Sequence, residues 1–331
     1  MSQSRPFASC LGPVFERYLS LKEALGRKYA IERGVLAHLD HFLVAHPSAR
    51  GDLSPETFAL WCAALVHLSP GVRRNWMRIV RNLCLYRQRT EPGCLVPDPA
   101  LFPRPHTPQR PHFFTEQEIT QLLAAAKVLR PTPASPLRSE TFRLALVLLH
   151  TAGLRRGELV RLTLGDYDPI EQTLRILATK FNKSRLVPLS PGATFEMDIY
   201  LKARSRLPHA SEAPLLCNLS RGLRPYTGAG LAQGLRQLFR CAHVRTASGQ
   251  IPRVHDMRHS FALHALLRWY RAGIDVQARL PALAAYMGHV SIVSTQHYLA
   301  FLEPLAQSAS DLFARHCESL LGTGAAEGGP R

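Results

Sequence analysis

Prolines at positions 97, 99, 103, 105, 108 and 111 place six of these residues within a stretch of fifteen. Proline lacks a backbone N–H and its ring clashes with the preceding turn, so this stretch cannot form an α-helix or a central β-strand. The segment PDPALFPRPHTPQRP is therefore expected to be a stiff, semi-extended connection. The chain has 331 residues, which is more than one hydrophobic core usually serves. We expect a first domain over residues 1–104, a linker over 105–112, a second domain over 113–321 and a disordered tail over 322–331.

Apolar periodicity predicts helices through most of both domains. Residues recur at intervals of three and four over 14–25, 31–46, 55–68 and 71–90. Beyond the prolines, Thr115 and Glu118 form a capping-box pair before an apolar run. A further helical pattern covers 140–153, and another begins in LRRGELVRLTLGDYD and ends in a turn. From about residue 226 the pattern is helical again, through 255–273, 276–287, 291–300 and 305–321.

Two short segments alternate as β-strands do, TLRILAT and RLVPLS. They predict a hairpin with its tip near Phe181 and Asn182. The expected fold class is mainly α with two domains. The first is a helical bundle, and the second is mostly helical with a small antiparallel β-sheet.

The charge balance points to a polyanionic partner. Lysine and arginine total 41 against 24 acidic residues, which gives a formal net charge of +17. So many like charges repel one another in a compact fold, and nucleic acid is the polyanion that most commonly binds such a protein. A generally basic protein without such a partner is the alternative. Residues 73–89 hold six arginines and no acid, which favours a phosphate-contacting helix over a solvated face. The candidate DNA contacts on this helix are Arg73, Arg74, Arg78 and Arg81.

Seven cysteines are scattered along the chain without a CxxC pair or a zinc-ligand spacing. We expect free thiols in a reducing cytoplasm. The first residues lack a long apolar segment, and no stretch reaches eighteen uncharged apolar residues, so neither secretion nor a membrane span is expected.

Four separated segments carry groups suited to phosphate chemistry: GLRRGEL, TKFNKSRLVPL, HDMRH and MGHVSIVSTQHY. Two guanidinium groups can neutralise a phosphodiester and hold its oxygens in fixed geometry. A tyrosine can form a covalent intermediate, and a lysine, unlike an arginine, can give up a proton. Taken in order, these segments resemble the tyrosine recombinase/integrase family of DNA strand-exchange enzymes. The residues that carry the resemblance are Arg155, Lys180, His255, Arg258, His289 and Tyr298.

The resemblance implies a role for each residue. Arg155 and Arg258 would hold the scissile phosphate, and Tyr298 would attack it to give a 3′-phosphotyrosyl link. Lys180 would protonate the leaving 5′-oxygen, although Phe181 stands where the family commonly has glycine. His255 would assist proton transfer, and the remaining histidine would hydrogen-bond the phosphate or leaving group. Lys183, in the same hairpin, is a further candidate DNA contact.

The resemblance also implies partners and domain roles. Residues before the linker resemble the family's SAM-like core-binding domain, and those after it resemble the catalytic domain. The family works on double-stranded DNA as a homo-tetramer or together with related recombinases, and it needs neither metal nor ATP. We therefore expect no cofactor and a site-specific recombinase or integrase of a mobile genetic element. A helix over 305–321 would dock on a neighbouring protomer or on its own domain.

Three other activities compete with this interpretation. A type IB-like topoisomerase shares the same chemistry but relaxes supercoils without sequence preference. A DNA-binding architectural protein would have an inert site, which the complete set of candidate residues disfavours. A metal-dependent nuclease is disfavoured because no carboxylate cluster accompanies the basic residues.

Overall fold

The computed structural model describes residues 6–27, 29–46, 52–104, 110–177, 184–289 and 291–301. The chain divides into two compact units, residues 1–109 and 110–331. The described residues are mainly helical, with short antiparallel strands in the second unit, so the fold class expected from the sequence is confirmed. The predicted hairpin tip with Lys180 and Lys183, the helix over 305–321 and the tail lie outside the described residues.

The first unit is a helical bundle. Its described residues form α1 (Gly12–Ala24), α2 (Ala30–Ala45), α3 (Pro55–Ala64) and α4 (Pro70–Arg87). The local sequence sets where α3 starts. Ser54 caps this helix by accepting a hydrogen bond from the Thr57 backbone N–H, and Pro55 suits the first helical position. The helices pack around the fully buried Trp61.

Part of the proline-rich stretch is packed onto the first unit. Pro99–Leu101 forms a single 3-10 turn, and Phe102 is buried in the bundle core. Further along the chain His112, the last residue of the predicted linker, contacts Glu118 in the second unit at 3.0 Å.

The second unit holds the remaining elements. Its described helices are α5 (Glu116–Lys127), α6 (Arg138–Thr151), α7 (Arg156–Leu159), α8 (Pro191–Arg204), α9 (Gly228–Cys241), α10 (Val254–Arg271), α11 (Val276–Met287) and α12 (Val293–Gln296). Its described strands are β1 (Tyr167–Asp168), β2 (Thr173–Ile176), β3 (Arg185–Pro188), β4 (Cys217–Asn218) and β5 (Arg224–Pro225). The two strands of the predicted hairpin, β2 and β3, pair antiparallel with Leu174 opposite Val187. β1 extends this sheet beside β2, while β4 and β5 pair separately.

Two buried helices form the centre of the second unit. Residues 144–149 of α6 are all buried, because α5, α8 and α10 pack around this helix. Ser260 on α10 fastens the segment that precedes α5: its hydroxyl accepts the Phe114 N–H at 2.9 Å and donates to the Asp256 carbonyl at 2.9 Å. The start of α10 is thereby fixed within the core.

The structure differs from the sequence expectations in several elements. The helix predicted to follow Leu154 is a single turn, α7. The helix expected over 291–300 consists of α12 and a 3-10 turn, His297–Phe301. The helix α8 was not predicted. None of the described helices combines the length and the apolar character needed to cross a bilayer.

Candidate active site

The first turn of α10 presents a series of polar groups. Arg253 precedes the helix, and its backbone N–H donates to Oδ2 of Asp256 at 2.9 Å. The Arg253 side chain also donates to this buried carboxylate at 2.8 Å. The carboxylate thus satisfies the backbone N–H of the residue that caps the helix start. The following residues, Arg258 and His259, are thereby held on a rigid element.

Arg258 is buried with 1% of its surface exposed. Its Nη1 donates to the Gly153 carbonyl at 2.5 Å and its Nη2 to the Met287 carbonyl at 2.6 Å. Burial lowers the pKa of Arg258 to about 9, and the nearby charge of Arg155 acts in the same direction. The guanidinium is therefore a poorly hydrated cation whose geometry is set by backbone carbonyls.

Arg155 lies at the start of α7, and its charge acts on the guanidinium group of Arg258. Its Nη2 donates to the Gly288 carbonyl at 2.7 Å, and its Nη1 donates to Glu158 at 2.7 Å. The carbonyls that bind the two guanidinium groups thus belong to consecutive residues at the end of α11, Met287 and Gly288. This peptide brings Arg155 and Arg258 together from segments a hundred residues apart in the sequence.

Glu158 links Arg155 to the β-sheet. It is 3% exposed and accepts the Arg155 backbone N–H at 2.9 Å. It also accepts hydrogen bonds from both terminal nitrogens of Arg185 on β3, at 3.1 and 2.9 Å. Burial alone would raise the pKa of this carboxyl, but the bonds from Arg185 and Arg155 lower it to about 2. The group is therefore a carboxylate at neutral pH.

Arg185 completes this network and was not singled out from the sequence. Its terminal nitrogens bind Glu158, and its Nε donates to the Tyr286 carbonyl at 2.8 Å. β3, α7 and the end of α11 are thus joined by one side chain. The only feature of the sequence that pointed to Arg185 was its position at the start of RLVPL, two residues after Lys183.

Tyr298 lies in the 3-10 turn after α12 and is 2% exposed. Its hydroxyl is 2.7 Å from Nδ1 of His259. Burial raises the pKa of the phenol to about 12, while Arg258 and then Arg155 act to lower it. The phenol therefore lies within the electrostatic reach of both guanidinium groups.

Two further histidines border the same site. Nδ1 of His289 is 2.7 Å from the hydroxyl of the buried Thr295, which fixes the orientation of the ring. Burial lowers the pKa of His289 to about 4, with added effects of Arg258 and Arg155. His255 is accessible at the surface, but the surrounding protein and the charge of Arg258 lower its pKa to about 4. Both imidazoles are therefore neutral at neutral pH.

A basic cleft opens beside Arg155 and His255. The cavity has a volume of about 610 Å³. Its lining includes the arginines Arg155, Arg156, Arg236 and Arg253. Among the described lining residues there is no acid, so the cleft is suited to a polyanion. Within the described part of the chain, no three histidine, cysteine or acidic side chains lie together as a metal site would require.

The structure brings together five of the six candidate catalytic residues, Arg155, His255, Arg258, His289 and Tyr298, and Lys180 lies outside the described residues. His259, which is not among the six candidates, contacts the phenol directly.

The four candidate DNA-contacting arginines lie on α4 of the first unit. Arg74 donates to the Pro103 carbonyl at 2.7 Å and Arg81 to the Pro97 carbonyl at 3.0 Å. These two side chains therefore hold the packed proline-rich stretch. Arg78 is exposed and donates to Asn75 at 2.8 Å, while Arg73 is half-buried. Of the four, Arg78 is the most accessible to a ligand.

The fold is mostly helical, and its site combines arginines, histidines and a tyrosine. These features together define a class of DNA strand-exchange proteins. Residues 112–303 match the model of the phage integrase family, which is more than half of the chain. The chain therefore belongs to this family, the tyrosine recombinases. It is 32% identical to the putative integrase/recombinase y4rB of Sinorhizobium fredii, over 92% of this chain and 96% of the relative. It is 31% identical to tyrosine recombinase XerD of Mycobacterium tuberculosis, over 82% of each chain.

Solved structures with the same fold include two recombinases bound to DNA. The Tn1549 transposon integrase in complex with transposon right end DNA has a TM-score of 0.61 and 17% identity, and the match covers 93% of this chain and 99% of that one. The XerH recombinase bound to its difH substrate has a TM-score of 0.59 and 16% identity, covering 85% and 78%. At these identities the likeness concerns the fold.

Proposed function

We propose that the chain is a site-specific DNA recombinase that cuts and rejoins strands through a 3′-phosphotyrosine intermediate. One observation carries the proposal: Arg155 and Arg258 donate hydrogen bonds to the carbonyls of two consecutive residues. Burial raises the pKa of the Tyr298 phenol, and the positive charges of both guanidinium groups act to lower it. Family membership supports DNA cutting and rejoining as the type of reaction. The site geometry supports the assignment of residues.

In the proposed reaction, the two guanidinium groups bind the non-bridging oxygens of the scissile phosphate. The pentavalent transition state carries more charge on these oxygens than the ground state, so a clamp fixed in advance stabilises it selectively. Tyr298 attacks phosphorus and the 5′-oxygen leaves, taking a proton from Lys180. His255 assists removal of the phenol proton, and His289, held by Thr295, hydrogen-bonds the phosphate. Strand joining is the reverse of this sequence.

The DNA duplex would lie along the basic cleft beside Arg155, where Arg156, Arg236 and Arg253 face neighbouring phosphates. The exposed Arg78 and the hairpin residue Lys183 are further proposed contacts, with Arg73, Arg74 and Arg81 nearby on α4. We further propose that the first unit is a core-binding domain and that four copies assemble on two duplexes. Relatives named integrase, one of them from a transposon, support a role in a mobile genetic element.

The decisive experiment uses nicked suicide duplexes tiled across the DNA that flanks the gene. After cleavage at the right site, the short strand diffuses away and the covalent protein–DNA adduct accumulates. We expect an adduct that resists denaturing electrophoresis and forms in the presence of a chelator and without ATP. Tyr298→Phe should abolish the adduct while DNA binding, measured by mobility shift, stays within about twofold.

Tyr270→Phe is the matched control, because Tyr270 is half-exposed at the end of α10. It should form the adduct at the wild-type rate. Equal adduct formation by Tyr298→Phe would disprove the assignment of the nucleophile. Binding without any adduct from the wild type would favour an inert DNA-binding protein, and relaxation of supercoils without sequence preference would favour a topoisomerase.

A further inference from the structure

The Tyr298 hydroxyl has a specific partner among the imidazoles of the site. Nδ1 of His259 lies 2.7 Å from the phenol oxygen. Nδ1 of His289 is instead bonded to Thr295, and Nδ1 of His297 is bonded to the Ser294 carbonyl at 2.9 Å. The contact to the phenol therefore belongs to the imidazole that directly follows Arg258 in the sequence.

We propose that His259 is a positioning residue that orients the Tyr298 hydroxyl for attack on the phosphorus atom. This inference rests on the proposed function and deepens it by naming the group that aims the nucleophile. With the imidazole proton on Nε2, the phenol donates its hydrogen to Nδ1. The lone pairs of the phenol oxygen then point away from His259 and remain available to an electrophile.

The position of His259 on the chain strengthens this inference. Tyr298 belongs to a 3-10 turn of five residues, which has little rigidity of its own. His259 and Arg258 are consecutive residues of an eighteen-residue helix. The same rigid element therefore sets both the phosphate-binding guanidinium and the direction of the nucleophile. Precise sites in proteins are commonly built on such elements.

Burial makes the contact more important. Tyr298 is 2% exposed, so bulk water cannot replace a lost hydrogen-bond partner. Burial also raises the pKa of the phenol and lowers that of His259 to about 4. The proton thus remains on the phenol oxygen in this structure, and His259 acts as a hydrogen-bond acceptor that fixes its direction.

The test compares three substitutions at this position. In His259→Asn the side-chain amide reaches about the position of Nδ1, whereas in His259→Gln it reaches about that of Nε2. His259→Leu removes hydrogen bonding while keeping bulk. Misplacement of a nucleophile by about 1 Å can cost about 100-fold in rate. We expect the Leu and Gln variants to form the covalent adduct about 100-fold more slowly on saturating suicide substrate, and the Asn variant to recover most of the rate.

A second measurement needs no DNA. Tyrosine labelled with ¹³C at Cζ reports hydrogen bonding of each phenol by NMR, and Tyr298→Phe identifies the resonance of Tyr298. We expect this resonance alone to shift in His259→Leu and to return towards its wild-type position in His259→Asn. If the wild type formed no adduct on any DNA, the proposed function would fail while this measurement still tested the contact.

Two results would overturn the inference. One is a Tyr298 resonance that is the same in the wild type and the Leu variant. The other is adduct formation in the Leu variant that equals or exceeds the wild-type rate, because His259 would then restrain the phenol rather than aim it. If the Leu variant failed to fold, as judged by circular dichroism, the comparison of Asn with Gln would decide alone.

Discussion

Replacing Glu158 by glutamine tests whether a single carboxylate holds the second unit together around the candidate site. Glutamine has the shape of the neutral carboxyl group and cannot be ionised. In the structure this group accepts the backbone N–H and Nη1 of Arg155 and both terminal nitrogens of Arg185. An amide presents an NH2 group to at least one of these donors, so a hydrogen bond is replaced by a repulsive contact.

The magnitude follows from the pKa of the carboxyl. It falls from an ordinary value of 4.5 to about 2 in the folded protein. At about 1.4 kcal/mol for each pH unit, the ionised form stabilises the fold by about 3 kcal/mol relative to the neutral form. Removing one partner of a buried ion pair commonly costs about 3–5 kcal/mol, which agrees. We therefore expect Glu158→Gln to lower the free energy of unfolding by about 3 kcal/mol at pH 7.

The sign of the pH dependence is also fixed. Because the folded pKa is depressed, the stabilisation is complete above about pH 4.5 and is lost as the pH falls towards about 2. At pH 3 only about half of the difference between wild type and variant should remain. The wild type therefore approaches the variant on acidification.

The assay is urea unfolding followed by a pulse of hydrogen exchange and mass spectrometry. Peptides from the second unit should show the loss, while peptides from the first unit keep their midpoint and serve as an internal control. Glu171→Gln, which changes an exposed acid of the second unit, is the matched variant and should have no effect. A loss below about 1 kcal/mol, or a loss that does not vary between pH 7 and pH 3, would refute the reasoning.

Two further changes probe the same site. Gly288 has a φ of +66°, and a Cβ there would lie 2.6 Å from Nη1 of Arg185. Gly288→Ala should therefore destabilise the second unit by at least about 1 kcal/mol in the same urea assay, and an unchanged midpoint would show that the guanidinium moves aside freely. Thr295→Val removes the hydroxyl bonded to His289 and should slow adduct formation about fivefold, the effect of one hydrogen bond. Thr295→Ser keeps the hydroxyl and should retain the wild-type rate; equal slowing in both variants would contradict the proposed role.

The sequence predicted most of what depends on local patterns. The helices α1 to α6 and α9 to α11 repeat apolar residues at helical spacing. Tyr298, by contrast, could be selected only by resemblance, because an isolated tyrosine near a helix end is usually a core residue. Its burial and its proximity to the guanidinium groups became visible only in the fold.

What the sequence could not reveal was the connection between distant segments. Arg185 looked like an ordinary strand residue, and nothing local indicates that it meets Glu158 or the Tyr286 carbonyl. His259 belongs to the same motif as His255, and only the path of the chain after α11 decides which of the two reaches the phenol. Likewise, the sequence around Arg74 does not show that this side chain donates to the carbonyl of Pro103 in the packed proline-rich stretch.

The balance of charge within the site gives the proposed chemistry a physical basis. Arg155 and Arg185 share a single carboxylate, that of Glu158. The nearby guanidinium group of Arg258 is held by neutral carbonyls. Within the described residues, about two positive charges therefore remain without an anionic partner. A phosphodiester carries one negative charge, but the pentavalent transition state of tyrosine attack approaches two. A site with this excess charge, kept poorly hydrated by burial, stabilises the transition state more than the bound substrate, which is the condition for accelerating the reaction. An added acid beside Arg258 would hold that side chain equally well in place, and it would remove the excess charge on which the acceleration depends.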